Sequence, residues 1–202
     1  MIAGLLLAAG RSTRFGADKL TAKLHGKAVI RLSAGVLAPL DAVFVVVPPG
    51  ADAITQALSR LDVRFVINLA RDEGMASSIR AGVAALDAEV EAVVIALGDQ
   101  PLASPAVTDA LRDRWAQGGA SAVVPVYADG QGHPVLFDRT CFSSLAELRG
   151  DQGARGVLRA LGDRCAWVPV DGNAPVDVDT PEVLALLASP PPLGCPWPAQ
   201  GK

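Results

Sequence analysis

Residues 1–188 read as an α/β unit, a mostly parallel sheet with helices on both faces. Two observations lead there. Short apolar runs rich in β-branched residues recur along the chain, and segments with helical apolar spacing stand between them. A strand that is apolar on both faces needs cover on both sides, which a three-layer α/β/α arrangement supplies. At 202 residues and 50% hydrophobic content, the length suits one core better than two.

The first run, residues 2–9, is a buried strand stopped by Gly10. It leads into small residues interspersed with Arg11, Arg14 and Lys19, a composition suited to binding an anion through backbone N–H groups and nearby cations. Residues 27–40 carry Val29, Ile30, Leu32, Val36 and Leu37 at the spacing of a helix with one apolar face. Residues 41–47 are too rich in valine to be other than a buried strand, ended by Pro48, Pro49 and Gly50. A helix over 51–60 and a strand over 63–67 complete another step.

A polar loop, 68–74, precedes a helix in which Met75, Ile79, Val83 and Leu86 align. Ser77 and Ser78 then lie at a helix N-terminus, where they serve either a ligand or close packing on the sheet. Residues 92–97 form a strand that delivers Gly98, Asp99, Gln100 and Pro101 at its C-terminal end, where open α/β sheets bind ligands. Asp99 is a carboxylate suited to a hard cation or, equally, to an ordinary turn. Ser104 and Pro105 signal a helix start, and that helix runs to about 118.

A strand at 122–127, a loop at 128–132 and a strand at 133–137 follow, with His133 serving either a ligand or the loop itself. Helices over 141–148 and 152–161 come next, with Asp151 placed to cap the second. A strand at 165–170 leads to Asp177 and Asp179; if residues 176–179 are extended, both carboxylates project from one face. Thr180 and Pro181 open a last helix ending near Leu187, and residues 189–202, with five prolines, form a tail without periodicity.

Composition removes several classes of function. A net charge of −3 and a pI near 5.3 argue against a broad nucleic-acid surface. The first apolar run lacks the basic leader of a signal peptide, and no apolar stretch reaches the roughly 18 residues of a membrane span. Three cysteines, Cys141, Cys165 and Cys195, form no metal-binding pattern, and a reducing cytoplasm is the simplest fit. The glycine loop is not a Walker loop, because Phe15 replaces its second glycine, and Ser12 and Phe15 break the dinucleotide fingerprint.

Residues 7–19, Leu-Ala-Ala-Gly-Arg-Ser-Thr-Arg-Phe-Gly-Ala-Asp-Lys, resemble the opening motif of MobA-like nucleotidyltransferases, especially the cytidylyltransferases of the molybdenum cofactor. Similar matches occur at 73–78, 132–134, 150–155 and 177–181, nearly the whole span from Leu7 to Pro181. The resemblance implies a Rossmann-like nucleotidyltransferase fold and transfer of CMP from CTP to the terminal phosphate of molybdopterin, with release of pyrophosphate. It implies nucleotide contacts by Leu7, Ala8, Ala9, Gly10, Arg11, Ser12, Lys19, Ser77 and Ser78, and catalytic roles for Arg14, Lys19 and Asp99. Gly132, His133 and Arg155 fall on the acceptor side. Mg²⁺ is expected on Asp99 and on one of the later pair, with Asp179 preferred over Asp177 although spacing does not choose.

Ala9, where guanylyltransferases of this group carry glycine, points to CTP. Partners implied are molybdopterin or the molybdenum cofactor and a molybdoenzyme that receives the product. Transfer to a sugar or alcohol phosphate, use of GTP, and a non-catalytic cofactor-delivery module are the alternatives.

Overall fold

A computed structural model describes residues 1–10, 15, 18–151 and 153–189. Arg11, Ser12 and Arg14 lie outside the described residues, as does the tail from Pro190 onward. The strands are β1 (Ile2–Leu7), β2 (Lys23–Leu24), β3 (Lys27–Ala28), β4 (Ala42–Val47), β5 (Arg64–Ile67), β6 (Ala92–Leu97), β7 (Ala122–Tyr127), β8 (Gly130–Gln131), β9 (Val135–Asp138) and β10 (Cys165–Pro169). The helices are α1 (Val29–Ala34), α2 (Asp52–Leu58), α3 (Met75–Ala84), α4 (Pro105–Ala116), α5 (Phe142–Ala146), α6 (Arg155–Leu161) and α7 (Pro181–Ala188).

The main sheet runs β10-β7-β9-β6-β1-β4-β5, with β8 paired to β7. β1 is parallel to β4 and β6, β4 to β5, and β7 to β10. β9 runs antiparallel between β6 and β7. Its link from β7 is too short for a crossover, so the chain has to return in the opposite sense. The strand order reverses at β1: the chain moves from β1 to β4 and β5, then returns to β6 on β1's other side. The crevice at the C-terminal ends of β1 and β6 is therefore the expected ligand site.

Alternation along each strand divides the core into two layers. Leu6, Val45 and Val94 join Ile30, Leu37, Ile54, Leu58 and Leu111 on the face covered by α1, α2 and α4. Leu5, Phe44, Val46, Val93 and Ile95 join Ile79, Val83, Leu145 and Val157 on the face of α3, α5 and α6. At about 25 cal/mol per Å² of apolar area removed from water, these two layers are the dominant stabilising contribution. Gly82 belongs to the second layer by necessity, because a Cβ there would stand 2.3 Å from Leu5 Cδ1.

Several expected elements differ. The helix expected over 27–40 starts two residues later: His25 (φ 49°) and Gly26 (φ 78°) turn the chain so that β3 pairs antiparallel with β2, and α1 then gives way to a 3₁₀ turn, Gly35–Leu37. The 128–132 loop contains β8, hydrogen-bonded back onto β7. The helices at 142 and 155 are shorter than expected. Asp151 caps neither of them: its Oδ1 accepts from Met75 N at 3.3 Å, so it serves the start of α3 instead. Met75 is partly exposed rather than part of the buried stripe.

Candidate functional site

The site is built where the loop after β6 meets the segment before α7. Gly98 N donates to Leu7 O at 2.9 Å, tying the loop to the end of β1. A Cβ on Gly98 would meet that carbonyl at 2.9 Å and Ile30 Cδ1 at 2.8 Å. The close approach that glycine allows here is therefore to the protein's own strand. Val178 N in turn donates to Asp99 O at 2.9 Å, and the fully buried Val178 side chain packs with Leu24 and Val29, beside Leu184 and Leu187 of α7. One backbone bond and one apolar anchor thus fix the two loops against each other.

Residues 176–179 are not an extended strand. Asp179 N donates to Asp177 O at 3.0 Å, a tight turn about Val178. The carboxylates consequently go to different partners. Asp179 Oδ1 accepts from Lys19 Nζ at 2.8 Å, and Asp99 Oδ2 accepts from the same ammonium at 2.6 Å. Asp177 Oδ1 instead accepts from Gln100 Nε2 at 2.8 Å. Backbone geometry distinguishes the two acids that spacing leaves equivalent.

Lys19 is nearly buried, and burial alone lowers the pKa of an ammonium; its hydrogen bonds and charge pairing with Asp179 and Asp99 more than offset this and raise it. The lysine is charged at neutral pH. Asp177 is shifted up, first by burial and then by the neighbouring carboxylates, with the Gln100 amide opposing the shift. Asp99 and Asp179 thus converge on one cation position, which the Lys19 ammonium takes. Two hard oxygen ligands on one point suit Mg²⁺ or Mn²⁺, ions that keep water and substrate oxygens for the rest of their shell. Among the described residues no cluster of three or more acidic, His or Cys side chains offers a fuller metal cage.

The other expected residues separate into two groups. Leu7, Gly132, His133 and Arg155 line one cavity of ≈ 370 Å³ beside the crossing, with Gln100 and Asp177. Gly132 is held tightly, since a Cβ there would lie 2.8 Å from the Tyr127 ring, and Tyr127 Oη donates to His133 O at 2.9 Å. Burial moves the His133 imidazole down to about 4, with Arg155 adding to the shift and Asp99 opposing it. His133 is therefore neutral at pH 7.

Ala8 and Ala9 are buried in the two core layers, while Gly10 is exposed at the start of the loop. The Ala9 methyl accordingly does not line an open base pocket; it faces the layer that includes Phe44 and Val46. Ser77 and Ser78 are also buried. Asn68 Nδ2 donates to both hydroxyls, at 2.8 and 3.0 Å, and Ser77 Oγ donates to Gly74 O at 2.8 Å.

Sequence reasoning missed Gln100, Asn68 and Tyr127 as supporting residues. Gln100 follows the expected Asp99 directly, and that adjacency was the available signal. A larger groove of ≈ 540 Å³ near Arg31 and Arg64 contains none of the expected site residues, so size does not locate the chemistry here.

Residues 4–165 match the MobA-like NTP transferase domain. The chain is 30% identical to the purine catabolism protein PucB of Bacillus subtilis over 91% of its own length and 94% of that protein's. It is 35% identical to a probable molybdenum cofactor guanylyltransferase of Haloferax mediterranei, covering 79% of this chain and 78% of that one. Among solved structures, Rv0371c of Mycobacterium tuberculosis superposes with a TM-score of 0.82 at 31% identity, covering 93% of this chain and 96% of its own. Rv0371c has also been crystallised in complex with manganese, in a form that aligns at a TM-score of 0.79 and 30% identity over 93% of this chain and 97% of that one. With the fold, the acidic pair and these similarities in agreement, the chain belongs to the MobA-like NTP transferase family.

Proposed function

We propose that this nucleotidyltransferase transfers CMP from CTP to the terminal phosphate of molybdopterin carrying its metal, with Mg²⁺ as the cofactor. The observation that carries the reading is the convergence of Asp99, Asp179 and Lys19 at the C-terminal ends of β1 and β6. An acceptor phosphate oxygen forms a bond to the α-phosphorus as the bond to the β-phosphate oxygen breaks, and pyrophosphate leaves. The nucleophile is already anionic, so the protein's task is alignment and charge compensation rather than covalent help.

In this scheme Asp99 and Asp179 would hold Mg²⁺, which would supply positive charge against the negative charge of the phosphates. Lys19 and Arg14 counter the triphosphate and departing pyrophosphate charge, while Gly10, Arg11 and Ser12 cradle the phosphates. Ser77 and Ser78 support the nucleotide side through the start of α3. Gly132, His133 and Arg155 bound the acceptor cavity, where neutral His133 does not oppose a second cation.

The cytidine choice rests on the Leu-Ala-Ala-Gly opening. Because Ala9 is buried, its methyl acts through the packing of the core layer behind the loop rather than by touching a base, an effect of about 1–3 kcal/mol at most. A second reading, GMP transfer from GTP, is favoured by the relative named molybdenum cofactor guanylyltransferase. The reaction to measure is pyrophosphate release from CTP or GTP in parallel, with Mg²⁺ and metal-loaded molybdopterin. Release with CTP supports the proposal, release with GTP alone replaces it by the second reading, and no release with either refutes molybdopterin as acceptor. Asp99→Ala should abolish the release.

A further inference from the structure

The crossing of the two loops presents a second polar pair. Asp99 and Asp179 turn toward Lys19, whereas their near neighbours Gln100 and Asp177 both line the ≈ 370 Å³ cavity. The Gln100 amide orientation is fixed by its partners: Nε2 lies 2.8 Å from the Asp177 carboxylate and 3.4 Å from Pro175 O, both of which only accept. Gln100 Oε1 is then an acceptor, and so is Asp177 Oδ2. Among the described residues neither oxygen has a hydrogen-bond partner; Asp177 is exposed and neither oxygen is buried without a partner, so both acceptors stay open to solvent at the cavity.

Two adjacent acceptors at a cavity wall call for a ligand that brings donors. The rest of the cavity agrees with a flat ring: its lining includes the apolar side chains of Ile79, Leu97, Val124 and Phe137, and its volume lies at the small-molecule end of ligand sites, roughly 300–1,000 Å³. Arg155, also on the lining, supplies a cation for an anionic substituent.

We propose that Gln100 and Asp177 are the specificity-determining residues of the acceptor cavity, reading the amino and N–H edge of a 2-amino-4-oxo fused-ring heterocycle. This rests on the reading of the acceptor as a pterin. One loop crossing then serves both substrates, with the 99/179 pair on the phosphates and the 100/177 pair on the ring. A site built to pair a donor edge rejects an analogue lacking it, because an acceptor that the bound ring covers is then left without a partner.

The test is titration of the full chain with free pterin and with lumazine, which carries a carbonyl in place of the 2-amino group. Binding of pterin at least tenfold tighter than lumazine is expected for the wild type, falling to less than threefold in Asp177→Asn, with CTP binding unchanged. Asp177→Ser serves as the second variant should the first fail to fold. Equal binding of the two probes by the wild type, no binding of either, or an unchanged preference in the variant would overturn the proposal. Pterin preference without pyrophosphate release from CTP or GTP would leave the cavity assignment standing and remove the transfer reading; release without preference would do the reverse.

Discussion

Replacing Lys19 by methionine tests the centre of the site most directly. The change keeps much of the side-chain volume and removes the ammonium that lies 2.6 Å from Asp99 and 2.8 Å from Asp179. A hydrogen bond to a charged group is worth about 1.5–3 kcal/mol, which fits the Asp99 contact, where the two side chains are 11% and 21% exposed. The Asp179 side chain is 36% exposed, so solvent screens its bond, and about 0–1 kcal/mol is appropriate. The expected loss is therefore roughly 1.5–4 kcal/mol, or a fall in Tm of about 3–16 °C for a domain of this size.

Thermal unfolding followed by circular dichroism, without divalent metal, measures it. The linkage has a definite sign. A raised lysine pKa contributes stability that is complete below the ordinary value of 10.5 and lost as pH rises through the raised one. The wild type should accordingly lose its advantage over Lys19→Met in that alkaline range. Added Mg²⁺ should restore more stability to the variant, whose two carboxylates have lost their cation. A Tm within about 1 °C of the wild type at neutral pH would refute the reasoning.

Three further outcomes are expected. His133, with its pKa moved by burial from 6.5 to about 4, leaves the folded protein holding fewer protons than the unfolded chain between those values; stability should fall as pH drops from 6.5 toward 4, and His133→Gln should flatten that part of the denaturation profile. Gly98→Ala forces a methyl against Leu7 O and Ile30, so urea unfolding should report a loss of about 1–3 kcal/mol, with slower nucleotidyl transfer as Asp99 shifts. Asn68→Ala removes the amide that binds both Ser77 and Ser78, and chemical denaturation should show a loss of about 2–3 kcal/mol.

The strands and helices of the core were legible in the sequence because their information is local. Runs such as 42–47 and 92–97 are apolar at every position, and Ser104 and Thr180 announce helix starts that the structure bears out, accepting from Ala106 N and Val183 N. Asp99 could likewise be placed at a strand end from the run before it. What needed the tertiary structure were decisions between residues that are locally equivalent. Asp177 and Asp179 differ only through a turn set by the burial of Val178 against Leu24 and Val29, residues about 150 positions earlier in the chain. Asp151 caps α3 rather than the helix beside it in sequence, because folding brings residue 75 within hydrogen-bonding distance. Gln100 reads as an ordinary loop amide until Asp177 is folded against it. Periodicity and capping depend on neighbours a few residues apart, whereas the assignment of each carboxylate to its partner depends on long-range packing that no local pattern encodes.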